Sequence, residues 1–196
     1  MSETELNEVI AQSRSTEIKV IKTAIEKRKN LYIFGESRSG KTAITRYCKE
    51  KNIGNTPSSR ITLEQLIHSN PNEMAYDLME YVTFEITDNL DTADADALIT
   101  EFESLENDTA RQEFMANKLV TENTVLYVDE IGWAYKFDYE LNGEERNHLQ
   151  DLMNATKDHI TWIGVGIASP NSDQFDKRIT GFEHSLPISP WKTVTS

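Results

Sequence analysis

Eight consecutive residues of this sequence are arranged to hold a phosphate chain. Gly35-Glu36-Ser37-Arg38-Ser39-Gly40-Lys41-Thr42 fits the spacing G-x-x-x-x-G-K-[ST] in full. Glycines at Gly35 and Gly40 let the backbone wrap closely around phosphate oxygens. The loop amides and the first turn of the helix that follows present N–H donors to anions. Lys41 supplies the cation for the β- and γ-phosphates, and Thr42 supplies a hydroxyl for Mg²⁺. The expected ATP contacts are Gly35, Glu36, Ser37, Arg38, Ser39, Gly40, Lys41, Thr42 and Ala43. Arg38 has two readings, a solvated side chain or one that reaches a phosphate or a partner.

Such a loop needs a carboxylate on a neighbouring strand to hold the water shell of Mg²⁺. Asp129 closes the apolar run Thr124-Val125-Leu126-Tyr127-Val128, as that role requires, and Glu130 follows it directly. A glutamate beside the metal-binding aspartate can polarise an attacking water. The expected set is therefore Thr42 and Asp129 toward the metal, with Lys41 and Glu130 toward the chemistry.

These residues must be carried by strands with helices between them. Leu31-Tyr32-Ile33-Phe34, Thr124–Val128 and Ile160–Ile167 read as buried strands, with a short fourth at Leu186–Ile188 and another near Ser58–Thr62. Glu17–Lys29 and Lys41–Lys51 show helical spacing, and Lys27-Arg28-Lys29 is expected in the last turn of the first. Residues 58–120 read as mostly helical. Thr62 and Gln65 suggest a capping box, and Asn70-Pro71 opens a helix through Met74, Leu78, Tyr81 and Val82. Two more helices are expected at Asp91–Leu105 and Asn107–Leu119, and a further one over Glu144–Lys157. Strands separated by helices predict an α/β three-layer sandwich with a mainly parallel sheet, read here as one domain over 1–196.

The net charge is −13, and it is unevenly spread. Residues 70–113 hold 1 Lys/Arg against 13 Asp/Glu, whereas residues 1–69 hold 12 against 8. The acidity argues against coating nucleic acid by bulk attraction but leaves room for a local basic surface. No run of 18 apolar residues is present, and the acidic start lacks an apolar signal core, so neither a membrane span nor a secretory leader is expected. A single cysteine, Cys48, rules out an intrachain disulfide framework and fits a reducing, cytoplasmic setting. Cys48 is expected in the core. The four histidines show no metal-binding spacing. The aromatic set Trp133, Tyr135, Phe137 and Tyr139 is expected to pack rather than to stack on bases.

The helix before the loop, GESRSGKT and VLYVDE together resemble AAA+-type ATPases. RNHLQDLMNATKDHITWIGVGIASP and SDQFDKRITGFEHSLPISPW narrow the resemblance to the transposon-encoded TniB/TnsC-like ATPases, over about residues 16–56 and 121–191. That resemblance implies ATP-dependent homo-oligomeric assembly on double-stranded DNA with transposition proteins as partners. It also implies a site completed by a neighbour's arginine, which maps onto Arg178. A polar sensor residue is implied just after Gly166, at Ser169 or Asn171. The group normally continues into a helical lid, and the sequence stops at Ser196 before one.

The expectation is an ATP- and Mg²⁺-binding hydrolase of AAA+ type acting in DNA transposition. A helix before the first strand and an acid pair after a central one favour it over a small P-loop kinase. An ATP-gated protein-interaction module without turnover, docking through the acidic block, is the other alternative.

Overall fold

The computed structural model describes residues 2–64, 74–119, 123–132, 148–170 and 181–190. Two helices precede the first strand, α1 (Glu3–Ser13) and α2 (Ser15–Glu26). They lead into β1 (Leu31–Phe34), α3 (Lys41–Glu50) and β2 (Ser58–Thr62). Helices α4 (Met74–Thr87), α5 (Thr92–Glu103) and α6 (Asp108–Phe114) follow, the last running into a wide π-type turn over Met115–Leu119. Then come β3 (Thr124–Asp129), α7 (His148–Ala155), β4 (Ile160–Gly166) and β5 (His184–Pro187).

All strands pair in parallel, in the order β2-β3-β4-β1-β5. The strand that ends in Asp129 is thus separated from the strand feeding the phosphate loop by β4. Alternate side chains of each strand go to opposite faces, as the pleat demands. Leu31, Ile33, Val125, Tyr127, Ile163 and Val165 join Ile21, Ile25 and Ile44 of α2 and α3 in one core. Leu126, Val128 and Trp162 join α4, α5, α6 and α7 in the other. Both faces are covered, which gives the three layers predicted.

Most expected elements form near their expected bounds. Asp91 caps α5 by accepting from the amides of Ala93 and Asp94 at 3.1 Å, and Asn107 caps α6 by accepting from Ala110 N at 2.9 Å. α1 goes beyond the sequence reading. Its start is set by a capping box in which Ser2 and Glu5 satisfy each other's backbone amides. α2 stops earlier than expected. Lys27 caps it and Arg28 takes a left-handed φ of 52°, so the Lys27–Lys29 cluster lies beyond the last turn. Gln65, Asn70-Pro71 and the start of the Glu144 helix lie outside the described residues. Cys48 is buried, as expected.

Candidate functional site

The loop between β1 and α3 is shaped by close packing. Ile188 N donates to Phe34 O at 2.7 Å, so the chain leaving β5 runs against the start of the loop. A Cβ at position 35 would sit 2.3 Å from Ile188 O, which only glycine avoids. Gly40 takes φ +94° as the residue capping α3, a left-handed turn that glycine adopts without strain. Between them Arg38 also has a left-handed φ of 63°, and Ser39 N donates to Glu36 O at 3.2 Å. Glu36, Ser37, Arg38 and Thr42 are exposed, and Ala43 is half-buried.

Lys41, the first residue of α3, folds back onto the loop. Its Nζ donates to the carbonyls of Gly35 and Glu36, both at 2.8 Å. The side chain is buried, and this burial lowers the ammonium pKa while the charges of Glu130 and Asp129 oppose the shift. A phosphate would provide a stronger acceptor than either carbonyl.

Asp129 ends β3 and is buried. It forms an ion pair with Arg60 of β2 through Oδ2. The register explains the meeting. Thr62 lies beside Asp129, so Arg60, two residues back, shares its face and reaches it on the diagonal. Asp129 Oδ1 is buried with no hydrogen-bond partner among the described residues. An orphaned carboxylate oxygen of this kind fits the water shell of a cation. No cluster of three or more His, Cys, Asp or Glu able to hold a metal directly is found among the described residues.

Glu130 is exposed and has a left-handed φ of 56°, uncommon for a residue with a Cβ. Partial desolvation of its carboxyl at the strand end raises the pKa, Asp129 raises it further, and Lys41 pulls it down. Lys41, Asp129 and Glu130 therefore share one electrostatic neighbourhood at the carboxyl ends of β1 and β3. Tyr32 joins it from β1. Burial, then the Glu130 charge, pushes its phenol up to about 12, and its hydroxyl donates to Ala168 O at 3.1 Å, next to Ser169.

Arg14, which joins α1 to α2, is the feature that sequence reasoning missed. It is buried, and its Nη2 donates to Ser39 O at 3.0 Å and to Ser189 O at 2.8 Å. Its Nη1 meets Glu17 Oε1 at 3.0 Å. One guanidinium thus ties the phosphate loop, the exit of β5 and α2 together. The sequence signal was the Arg14–Glu17 spacing of three at a helix start. Arg60 was also missed; its place among inward and outward alternation in β2 was the only cue. Arg178, Asn171, Trp191 and the aromatic set from Trp133 to Tyr139 lie outside the described residues.

The strand order, the loop after β1 and the acid at the end of β3 give a three-layer α/β fold of P-loop type with an all-parallel five-stranded sheet. Two solved structures share it. One is the Aeropyrum pernix ORC1 protein in complex with DNA, with a TM-score of 0.57, 14% identity, 91% of this chain covered and 45% of that one. The other is Drosophila ORC bound to DNA, with a TM-score of 0.59, 17% identity, 96% of this chain covered and 46% of that one. The chain spans a little under half the length of either neighbour. No protein-family model matches the sequence, and no curated protein matches it. Among the described residues no helix is long and apolar enough to cross a membrane.

Proposed function

We propose that this chain binds ATP with Mg²⁺ at the Gly35–Thr42 loop, hydrolyses it, and uses the cycle to control assembly on double-stranded DNA. The observation that carries the reading is the pair formed by a buried Lys41 held on the loop carbonyls and a buried Asp129 with an unpartnered oxygen. Mg²⁺, when bound, neutralises phosphate charge and orients the chain of phosphates. Thr42 and Asp129 are the residues that would hold it. Lys41 and the loop amides stabilise charge on the β- and γ-phosphates. Glu130 accepts a proton from the attacking water, and its raised pKa suits a base working closer to neutrality. Tyr32 and Arg14 keep the ends of β4 and β5 in register with the loop.

A role on DNA is supported by the two neighbours, whose structures hold DNA, and by the local surplus of Lys and Arg in residues 1–69, while self-assembly rests on the resemblance of the motifs. The narrower reading, regulation of transposition with Arg178 acting on a neighbour's site, rests on the resemblance of the C-terminal segment. Cytoplasmic placement and a single domain over 1–196 belong to the same reading.

The Arg60–Asp129 ion pair favours one alternative. A guanidinium already holding Asp129 suits a nucleotide-gated switch that binds without turning over. A phosphate-release assay with and without duplex DNA separates the two. Turnover stimulated by DNA supports the hydrolase, and stoichiometric binding with no release under either condition supports the switch.

A further inference from the structure

We infer that the groove along α2, beside the edge strand β5, docks a short acidic, amphipathic helix of a different protein. Helix α2 and the first residues of β1 and β5, Leu31 and His184, enclose about 280 Å³ there. The lining has two chemistries. Val20, Ala24 and Leu31 are apolar, and Val20 remains 38% exposed while Ile21 and Ile25 of the same helix enter the core. Lys19, Lys27 and Lys29 carry ammonium groups, and among the described residues no carboxylate lines the groove.

Two of these ammonium groups lack a counter-charge. Lys29 pairs with Glu183 at 2.7 Å, in a contact that stays half-exposed. Lys19 and Lys27 form no ion pair among the described residues. The acids of α2 are engaged elsewhere, Glu17 with Arg14 at 3.0 Å and Glu26 with Lys22 at 3.7 Å. The groove is thus a locally basic surface on a chain whose net charge is −13. Its occupant must bring apolar groups to the floor and carboxylates to the rim.

The groove also has a direction. Thr16, Val20, Thr23 and Lys27 recur every three or four residues, so it follows one face of α2 and its cap for about three turns, roughly 16 Å. A second helix laid along this face matches that length. Apolar residues three and four apart cover Val20 and the methylene stems of the lysines, and flanking Glu or Asp side chains meet Lys19 and Lys27. Duplex DNA would use the ammonium groups and leave the apolar floor unfilled. A second copy would bring a net charge of −13 to the encounter, which a partner acidic only in its docking segment does not. Leu31 and His184 begin their strands, at the end of the sheet away from the phosphate loop, and no residue of the nucleotide site lines the groove.

The test needs no nucleotide. The probe is a fluorescein-labelled synthetic peptide of about four helical turns, with Leu at helical spacing and Glu on either side. Fluorescence anisotropy with the nucleotide-free full chain should show saturable binding that weakens as salt rises. A scrambled peptide of the same composition, without helical periodicity, should bind about tenfold more weakly or worse. Lys19→Glu/Lys27→Glu should weaken binding of the probe by about tenfold or more, and a peptide with Lys in place of Glu should prefer this variant to the wild type. Val20→Ser should weaken binding, and Val20→Leu should keep it. If the double reversal melts well below the wild type, Lys19→Ala/Lys27→Ala replaces it with the same direction of effect. No saturable binding to the wild type, or binding that the scrambled peptide or the groove variants match, would overturn the inference. Self-association of the wild type that the lysine variant abolishes, seen by sedimentation velocity, would also overturn it, because the occupant would then be a second copy. So would a lysine variant whose only defect is lost binding of duplex DNA. The melting shift with Mg·ATP is measured separately, so failure of the nucleotide reading and failure of this inference are told apart.

Discussion

The guanidinium of Arg14 spans from the carbonyl of Ser39 in the phosphate loop to the carbonyl of Ser189 beyond β5, at 3.0 and 2.8 Å. A residue at a helix junction near the start of the chain therefore braces the loop from behind. Arg14→Ala leaves two carbonyls without their donor and should lower stability by about 2–3 kcal/mol. ATP affinity should fall several-fold as the loop loosens. Arg14→Lys should rescue little, since one ammonium cannot reproduce the planar fork. Urea unfolding and titration with a slowly hydrolysed ATP analogue check both effects, and unchanged affinity in Arg14→Ala would remove the bracing role.

The Arg60–Asp129 pair leads to a second expectation. Arg60→Met leaves the buried Asp129 carboxylate without its cation, at a cost of about 3 kcal/mol to the nucleotide-free protein. Mg²⁺ with nucleotide then supplies the missing charge. The melting shift caused by Mg·ATP should be larger in Arg60→Met than in the wild type. A smaller shift would mean that Arg60 helps to bind the nucleotide instead.

Glu130 can be tested by charge alone. Glu130→Gln should keep ATP binding and lose turnover by ~10²-fold or more. The folded state raises the pKa of this carboxyl, so it holds its proton more tightly than the unfolded chain does. Ionising Glu130 therefore opposes folding, and this penalty develops as pH rises through the unfolded value. Nucleotide-free Glu130→Gln should be somewhat more stable than the wild type near neutral pH, and the gap should close in acid. Wild-type turnover should fall in acid with an apparent pKa above the ordinary carboxylate value. Melting and rate measurements across pH check both.

Arg178 is proposed to act on a neighbouring copy. Arg178→Ala should reduce turnover while leaving the ATP affinity of the isolated chain nearly intact, and wild-type specific activity should rise with protein concentration. Concentration-independent activity in the wild type, or an equal loss of affinity and turnover in the variant, would place Arg178 outside that role.

Local physics made much of this fold legible. β1, β3 and β4 are apolar runs buried on both faces, and Asp91 and Asn107 are strong caps, so these elements could be placed from residue type alone. The loop at Gly35–Thr42 was legible because its glycines are dictated by backbone geometry. The strand order was not, because nothing in Ile160–Gly166 says that it lies between β1 and β3. Arg14 and Arg60 were missed for a related reason. Each acts on a residue far away in sequence, Ser39 or Asp129, and only the packed sheet brings them together.

Thermal melting with Mg·ATP across nucleotide concentrations, on wild type and Lys41→Ala side by side, tests the nucleotide site most directly. Lys41 is the buried cation that the loop holds in place through the carbonyls of Gly35 and Glu36. The wild-type melting temperature should climb with ATP concentration, as ligand bound to the folded state requires, and Lys41→Ala should show almost no climb. Equal climbs in the two proteins, or none in the wild type, would contradict ATP binding at the Gly35–Thr42 loop.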